Sequence, residues 1–425
     1  MRAPDRDRLR GTIARTVAGA VAGIGAGPRP AGGPGSSPSA SRTRPAGQAN
    51  DVILLAIVGV LTVVGLFMVL SATSVQSQRE VGSTWSYFAR QLMWVTVGVG
   101  ALLATARVDY RRWQRWCVPF LGGCAVLLVL VLVPALGVRV NGARSWFELG
   151  PLRMQPAELA KLGVLLFGAD LLARRGHRMY EWRLTLLPVC VVAGGIAFLI
   201  MLQPDLGTTI VLGSITFAVL FVAGVPLLRL GGVAAGATAA ALALALSKAY
   251  RRNRILAFLD PSKDPLNTGF QLNQSFMGVA SGGWTGLGLG ESRSKWGFLP
   301  NAHTDFIFAI ICEELGLIGA FTVVGLFLGF AVYGTRAALA APDRFGTLVA
   351  AGITAWILTQ AFVNIGGVVG ILPITGLTLP FISFGGTSLV ITMAATGLLL
   401  NVARQGRGRR RPRPAVPADL LLADR

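Results

Sequence analysis

The chain has 425 residues, of which 53% are apolar and 14% charged, and its mean hydropathy is +0.62. Soluble domains carry about 25% charged residues, so this composition excludes a soluble enzyme and indicates a polytopic membrane protein. The formal net charge is +20, and the Arg-rich residues 1–50 and 404–425 supply more than half of it. Arg clusters beside membrane spans mark the cytoplasmic face more often than a nucleic-acid site, so we predict no nucleic-acid partner.

The two ends of the chain are predicted to be basic cytoplasmic tails. Residues 28–47 are rich in Pro, Gly and Ser. They hold too little apolar surface to offset the entropy of ordering them, so residues 1–50 are predicted to be disordered. Residues 404–425 form the second tail, whose run of three Arg at 409–411 is placed to contact anionic membrane lipids.

Ten apolar stretches lie between the tails, each close to the ~20 residues that cross a bilayer. The sequence therefore predicts an all-α integral membrane domain of ten transmembrane helices over residues 51–403. Loops 107–115 and 174–183 hold four Arg each, which places them and both termini in the cytoplasm. The long loop 249–305, between the seventh and eighth helices, is then exterior. The predicted spans are 52–73, 88–106, 116–136, 156–173, 185–202, 208–225, 229–248, 306–333, 345–369 and 381–403.

Missing motifs exclude several enzyme classes. The sequence has no P-loop and no GxSxG elbow, which argues against an ATP-driven pump and a serine hydrolase. The four cysteines all fall within predicted spans and lack metal-site spacing. One histidine near the exterior side does not make a zinc centre, so no protein-built metal site is predicted.

Residues 141–161 form the first of four exterior groups that could carry chemistry. Glu158 and Lys161 are three residues apart and share a helix face, which fits a salt bridge between helices as well as a substrate site. Ionisable residues that face a membrane cavity are costly and usually functional. Cations in this group, which also contains Arg144 and Arg153, would hold a diphosphate leaving group.

The second group is the turn at residues 203–207, in which Asp205 is predicted to cap the sixth span. The third is the exterior loop at 250–300, which is too long for a connector. Arg254 and Lys295 in this loop offer positive charge to phosphate. Side chains in it that suit hydrogen bonding to a sugar are Gln271, Asn273, Gln274 and Ser275.

Residues 370–388, the fourth group, are rich in turn residues and are predicted to be a re-entrant packing loop. Before them in the chain, residues 299–319 read LPNAHTDFIFAIICEELGLIG, where a glycine-rich loop becomes a long apolar helix. A helix N-terminus favours an ionised carboxylate, so Asp305 suits a general base acting on a lipid-linked sugar at the bilayer edge. The alternative is that Thr304 or Asp305 caps the helix.

These motifs resemble the SEDS family (shape, elongation, division and sporulation) of polytopic peptidoglycan polymerases. The resemblance covers residues 52–403, and it is closer to division-type than to elongation-type members, of a high-GC actinobacterial kind. Asn301 stands where many members have Glu, although Asp305 is retained. The matching segments, in family order, are NGARSWFELGPLRMQPAELAK, MLQPDLGTT, RILAFLDPSKDPLNTGFQLNQS, GLGLGESRSKWGFLPNAHTDFIFAIICEELG and ILPITGLTLPFISFGGTS.

The resemblance implies a lateral cavity open to lipid and an inverting reaction. Lipid II units would be joined into β-1,4 glycan strands with release of undecaprenyl diphosphate. Asp305 would take the proton from the acceptor 4-hydroxyl. A divalent cation, Mg²⁺ or Mn²⁺, is optional because no acidic cluster is evident to hold it. Candidate substrate contacts are Arg144, Glu158, Lys161, Arg254, Gln274, Lys295 and His303.

Expected partners are lipid II, a class B penicillin-binding protein transpeptidase, other division proteins and membrane lipids, at the septal plasma membrane. Two other function classes remain open: a lipid II flippase that forms no bond, and a non-catalytic scaffold for division proteins. An elongation-type polymerase is the alternative within the family. Asp305→Asn separates a polymerase from a flippase, because a general base needs its carboxylate whereas a flippase that needs only polarity does not.

Overall fold

The computed structural model describes residues 46–140, 143–150, 152–176, 180–246, 258 and 269–406. The predicted tails therefore lie outside the described residues except at their inner ends, which belong to the first and last helices. The helices are α1 Ala46–Val81, α2 Ser86–Arg107, α3 Trp113–Leu130, α4 Pro156–Arg174, α5 Leu186–Leu202, α6 Leu206–Val222, α7 Leu227–Leu246, α8 Phe270–Ser281, α9 Ile307–Leu339, α10 Arg344–Val368 and α11 Gly386–Gly406.

The molecule is a multi-pass, all-α membrane protein, and each predicted span overlaps one helix. Within the described residues, six helices are long and apolar enough to cross a membrane: α1, α2, α3 with the turn before it, α9, α10 and α11. The apolar helices α5 and α6 have 17 residues each, and about 25 Å of length is short for the ~30 Å hydrocarbon core. The count of ten membrane crossings stays a prediction.

Several predicted boundaries differ from the helix ends, two of them for identifiable reasons. α1 continues to Val81 rather than ending near residue 73, because hydropathy marks the membrane-embedded part of a helix and not its end. Its last turns are polar, and Gln76 donates to Glu80 at 2.8 Å across one turn. α11 begins at residue 386 rather than 381 because Phe381 has φ +66°, a left-handed conformation that a right-handed helix does not include.

A small antiparallel sheet occupies residues 137–154, which the sequence analysis treated as loop. Its strands β1 (Gly137–Val140), β2 (Ala143–Leu149) and β3 (Leu152–Met154) pair in the order β1-β2-β3. Arg153 lies opposite Glu148 in the register and forms a salt bridge with it at 3.1 Å. The dipeptide at positions 141–142, Asn-Gly between alternating apolar residues, is the signal that predicts such a hairpin.

The buried core surrounds α10. Ile353, Trp356 and Ile357 on this helix are 0% exposed. Large apolar side chains such as Phe67 and Phe321 instead lie exposed on the outer helices, as expected where lipid replaces water. The segment between α10 and α11, residues 371–385, is irregular, and its residues 377–383 are mostly buried against this core. The candidate site forms where that segment meets the start of α9.

Candidate active site

Asp305 lies in a tight turn that leads into α9. The turn is closed by the carbonyl of Asn301, which accepts hydrogen bonds from the backbone N–H groups of Thr304 and Phe306 at 3.1 and 3.3 Å. The N-cap residue of α9 is Phe306, and the Thr304 hydroxyl donates to the Asn301 carbonyl at 3.2 Å. Thr304 therefore closes the turn, and Asp305 precedes the N-cap position.

The backbone of residues 303–305 is fixed by three consecutive hydrogen bonds to their carbonyl oxygens. The His303 carbonyl accepts from the Phe384 N–H at 3.0 Å, and the Thr304 carbonyl accepts from Ser383 Oγ at 2.6 Å. The Asp305 carbonyl accepts from Asn364 Nδ2 at 2.7 Å. Because each bond comes from α10 or from the segment between α10 and α11, the position of the Asp305 backbone is set by distant parts of the chain.

Asp305 lines a small cleft together with residues of α10 and residues 374–377. Asp305 Oδ2 lies about 3.7 Å from the position that a Cβ would take at Gly376. Residues that line the cleft include Phe306, Val363, Asn364, Gly367 and Thr375. A carboxylate on the wall of a cleft, attached to a rigid backbone, has the geometry that a general base needs.

His303 belongs to an aromatic cluster with Tyr87 and Phe384. Its ring centroid lies 5.6 Å from each of those two rings, in edge-to-face arrangements. Burial lowers the pKa of His303 to about 4, although the charge of Glu80 opposes this shift. The ring is therefore neutral at pH 7 and adds no positive charge for a phosphate. Substrate contact by His303 stays a prediction.

Glu158 and Lys161 lie in a buried polar cluster between α4 and α10. Lys161 Nζ lies 2.8 Å from Glu158 Oε2 and donates to Gln360 Oε1 at 3.0 Å. The same nitrogen lies 4.9 Å from the centroid of the Trp356 ring. The salt bridge itself lies within α4, and the hydrogen bond from Lys161 to Gln360 is the contact that joins α4 to α10. Lys161 is 0% exposed and Glu158 4%. Contact of either side chain with a diphosphate stays a prediction.

α10 connects this cluster to Asp305. Gln360 Nε2 donates to the Thr378 carbonyl at 3.0 Å, and one turn later Asn364 Nδ2 donates to the Leu377 carbonyl at 2.6 Å. The two amides thus hold neighbouring carbonyls of the irregular segment, while Asn364 also holds the Asp305 carbonyl. Sequence reasoning missed both residues. Their signal is a polar amide inside an apolar span, which is costly in lipid and usually has a partner.

The other proposed substrate contacts are spread over the predicted exterior side. Arg144, on β2, donates from Nη1 to the Leu132 carbonyl at 3.2 Å, and its buried Nε has no hydrogen-bond partner among the described residues. Lys295 lies in the short 3-10 helix Ser294–Trp296 and donates to the Gly290 carbonyl. Gln274 is half-buried on α8, and Arg254 lies outside the described residues. Their substrate contacts stay predictions.

Asp205 has a structural role, which confirms its predicted capping of the sixth span. Its Oδ1 accepts from the Thr208 N–H at 2.9 Å, at the start of α6. Its Oδ2 accepts from the Thr208 hydroxyl at 2.7 Å and from Gln155 Nε2 at 2.9 Å. Both carboxylate oxygens are therefore engaged in holding the turn between α5 and α6.

The described residues offer no ready-made metal site. No group of three or more His, Cys, Asp or Glu side chains lies close enough together to hold a metal ion within the ranges that the structure covers. The donor set of these described residues therefore does not fit a tightly held divalent cation.

Comparison with known proteins identifies the family. The model of a family described as cell cycle proteins, that of FtsW, RodA and SpoVE, matches residues 51–408. The chain belongs to this family. It is 39% identical to the probable peptidoglycan glycosyltransferase FtsW of Geobacter metallireducens, over 84% of this chain and 96% of the relative. It is 43% identical to the protein of the same name in Mycobacterium tuberculosis, over 83% and 67%.

A solved structure supports the same assignment. The chain is similar to one from a peptidoglycan synthase complex that coordinates polymerisation and crosslinking, with a TM-score of 0.68 and 34% identity. The match covers 83% of this chain and 97% of that one. These findings confirm the SEDS resemblance and the helical membrane fold of the FtsW, RodA and SpoVE family.

Proposed function

We propose that this protein is the peptidoglycan glycosyltransferase of septal cell-wall synthesis. It joins lipid II units into β-1,4 glycan strands and releases undecaprenyl diphosphate. The names of the FtsW relatives support the reaction class. The observation that carries the assignment to a site is Asp305, whose carboxylate lines a cleft while three hydrogen bonds fix the backbone of residues 303–305.

Asp305 acts as the general base in this proposal. The acceptor 4-hydroxyl attacks the anomeric carbon of the donor as its proton passes to the Asp305 carboxylate, and the bond to the diphosphate breaks. An α-linked donor that gives a β product requires inversion, so a single displacement suffices and no covalent intermediate forms. A fixed backbone lowers the cost of placing the carboxylate against the hydroxyl.

Cations on the exterior side stabilise the diphosphate leaving group. Arg144 and Lys295 supply this charge from two separate elements, β2 and the short 3-10 helix, and Arg254 is the third candidate. Arg offers two parallel donors to a phosphate, whereas Lys offers a compact charge. Gln274 and His303 are proposed to contact the saccharides as neutral groups. No step is assigned to Mg²⁺ or Mn²⁺, since the described side chains do not form a site for it.

The buried pair Glu158 and Lys161 contributes by position. With Lys161 paired to Glu158 and Gln360, the cluster fixes α4 against α10, the helix whose Asn364 holds Asp305. Breaking a buried pair leaves an uncompensated charge and costs about 3–5 kcal/mol, so replacement of Lys161 alone is expected to disturb this whole region. We also propose that Glu158 and Lys161 contact lipid II directly.

A class B penicillin-binding protein transpeptidase is the proposed partner. The similarity to a chain from a complex that coordinates polymerisation and crosslinking supports this pairing. The proposed location is the plasma membrane at the division septum, with both termini in the cytoplasm and with other division proteins nearby. The basic ends support that orientation through the positive-inside rule.

The deciding experiment is glycan polymerisation from purified lipid II by the full chain with its transpeptidase partner inactivated. Asp305→Asn keeps the size and polarity of the side chain but removes the base, so polymerisation should fall by about 10²-fold or more. Asp205→Asn is the matched control. It removes another exterior carboxylate but keeps a good N-cap, so it should retain most of the activity.

Three results would contradict the proposal in different ways. Equal polymer from wild type and a folded Asp305→Asn protein would remove Asp305 as the base. Equal losses in both variants would mean that any exterior carboxylate matters for folding or charge. No polymer from wild type, with an inhibitor of classical glycosyltransferases and a positive control in place, would favour a flippase or a scaffold.

A further inference from the structure

α9 is interrupted in its third turn. Gly316 is non-helical there, with φ 65° and ψ −164°. The exterior segment 282–288 fills the break: the N–H groups of Leu287 and Gly288 donate to the carbonyls of Glu313 and Glu314 at 2.9 and 3.1 Å. On the other side of the break, the N–H groups of residues 317 and 318 donate to the carbonyls of residues 283 and 284 at 3.0 and 3.2 Å. Backbone groups freed inside a membrane protein need such partners.

Two glycines permit this close contact. A Cβ at Gly286 would lie 2.1 Å from the Glu314 carbonyl oxygen, and a Cβ at Gly316 would lie 2.4 Å from the Gly286 nitrogen. Both residues also have positive φ, of +82° and +65°. The exterior segment is therefore joined to α9 through backbone contacts that larger residues would exclude.

The carboxylate of Glu313 extends this junction to the segment that carries Lys295. Glu313 is 2% exposed, and its Oε2 accepts from the Ser292 hydroxyl at 2.6 Å. Its Oε1 accepts from the backbone N–H of Arg293 at 2.8 Å. Arg293 is the residue directly before the short helix Ser294–Trp296. Hydrogen bonds to a carboxylate are about twice as strong as neutral ones, so this contact holds the short helix in place.

Its neighbour Glu314 makes a different contact. Glu314 is 1% exposed, and its Oε1 accepts from the Ser71 hydroxyl of α1 at 2.5 Å. Its Oε2 is buried and has no hydrogen-bond partner among the described residues. Two adjacent, equally buried carboxylates thus attach α9 to two different elements. Glu313 alone of this pair reaches the segment with Lys295.

We propose that Glu313 is a positioning residue that sets the place of Lys295 relative to Asp305. Asp305 and Glu313 are eight residues apart at the start of α9, so a bond from Glu313 to residues 292–293 fixes the Lys295 segment to the same rigid element that follows the base. The proposal rests on the proposed function, because position matters if Lys295 contacts the diphosphate of the substrate.

The test combines hydrogen–deuterium exchange with steady-state polymerisation, on the full chain with the inactivated partner. Glu313→Ala should speed exchange in residues 288–299 and raise the KM for lipid II about tenfold, with kcat changed less than about threefold. Glu313→Gln should stay within about threefold of wild type, because an amide can accept from Arg293 and donate to Ser292. Glu314→Ala, the matched control, should leave exchange in 288–299 unchanged.

A second variant covers the case in which Glu313→Ala does not fold. Ser292→Ala removes one of the two bonds from the other side, and it should change exchange and KM in the same direction but less. Unchanged exchange in Glu313→Ala and Ser292→Ala would overturn the proposal, as would an equal rise in KM from Glu314→Ala. Absent polymerisation by wild type would overturn the proposed function, while the exchange result would still decide whether Glu313 holds this segment.

Discussion

Two aspartates at the starts of long apolar helices occupy different positions relative to the helix N-cap. Asp343 is the N-cap of α10: its Oδ1 accepts from the Gly346 N–H at 2.8 Å, and its Oδ2 accepts from the Tyr110 hydroxyl at 2.6 Å and from Arg111 Nε at 2.8 Å. Asp305 precedes the N-cap of α9 by one residue, and its carboxylate lines a cleft. There the carbonyl oxygens of residues 303–305 accept the hydrogen bonds that hold the backbone of the turn.

The difference shows how a fold separates stability from chemistry. Burial alone would raise the pKa of Asp343, but hydrogen bonds from Tyr110, Gly346 and Arg111 lower it overall, which keeps the carboxylate ionised as a structural acceptor. At Asp305 the stabilising contacts fall on the carbonyl oxygens of residues 303–305. Replacing the carboxylate leaves these three backbone hydrogen bonds in place.

The largest expected effect is on catalysis and belongs to Asp305. Asp305→Asn should reduce polymerisation by about 10²-fold or more with little change in the thermal unfolding midpoint. Asp343→Ala should do the reverse, because it removes a cap and the acceptor of the Tyr110 hydroxyl and of Arg111 Nε, at a cost of about 2–4 kcal/mol. Thermal unfolding in detergent and polymerisation per folded molecule measure the two effects. An equal catalytic loss in Asp343→Ala would refute this separation.

A smaller catalytic loss is expected when the backbone support of Asp305 is removed. Asn364→Ala deletes the amide that holds the carbonyls of Asp305 and Leu377, and polymerisation should fall about 10- to 100-fold as the carboxylate shifts. Asn401 on α11 is the matched control. It is a buried amide near the other end of the molecule that donates to the Ala106 carbonyl at 2.8 Å.

Asn401→Ala should lower the unfolding midpoint about as much as Asn364→Ala does, but it should leave polymerisation per folded molecule near the wild-type value. The two amides are 6% and 5% exposed at positions 401 and 364, so their burial costs are comparable. A catalytic loss of the same size in both variants would mean that general loosening, rather than the position of Asp305, controls the rate.

Much of the fold follows from the sequence, because hydropathy reports each membrane-embedded helix directly. The place of Asp305 also follows, since a polar loop that runs into an apolar helix is a local pattern. The sheet at 137–154 was missed even though Asn141 and Gly142 carry its signal, and α8 was missed inside the long exterior loop. Both elements are short, and the hydropathy pattern does not mark them.

The support of the site depends on contacts that no local pattern reveals. Asn364 and Ser383 lie 59 and 79 residues from the carbonyls that they hold at positions 305 and 304. Spacing predicted the Glu158–Lys161 pair, but Gln360, which completes the cluster, lies 199 residues from Lys161. In the sequence Glu313 is part of an apolar helix, and the structure shows that its carboxylate binds Ser292 and Arg293.

The pH dependence of stability is a finer test of the exterior side. Since burial lowers the pKa of His303 from 6.5 to about 4, the unfolded chain binds a proton in this interval that the folded protein does not. The His303 contribution to stability is therefore fully present above pH 6.5 and is lost as the pH falls towards 4. The unfolding midpoint, measured at pH 7, 5.5 and 4.5, should fall less steeply with decreasing pH in His303→Phe than in wild type. This variant keeps the ring contacts with Tyr87 and Phe384. Parallel profiles would contradict a neutral, buried ring.

The smallest expected effect concerns Asn301, where the family resemblance leads one to expect Glu. Asn301 has φ +57°, in the left-handed region that Asn tolerates better than most residues, and its contacts with the turn use its backbone carbonyl. Asn301→Glu should therefore cost about 0.5–1 kcal/mol, and Asn301→Gly should be close to neutral. Both variants should polymerise glycan at nearly the wild-type rate, because neither alters the carbonyl that accepts from Thr304 and Phe306. A large catalytic change in either variant would mean that the side chain at 301 reaches the substrate, and that the turn before Asp305 serves the chemistry as well as the backbone.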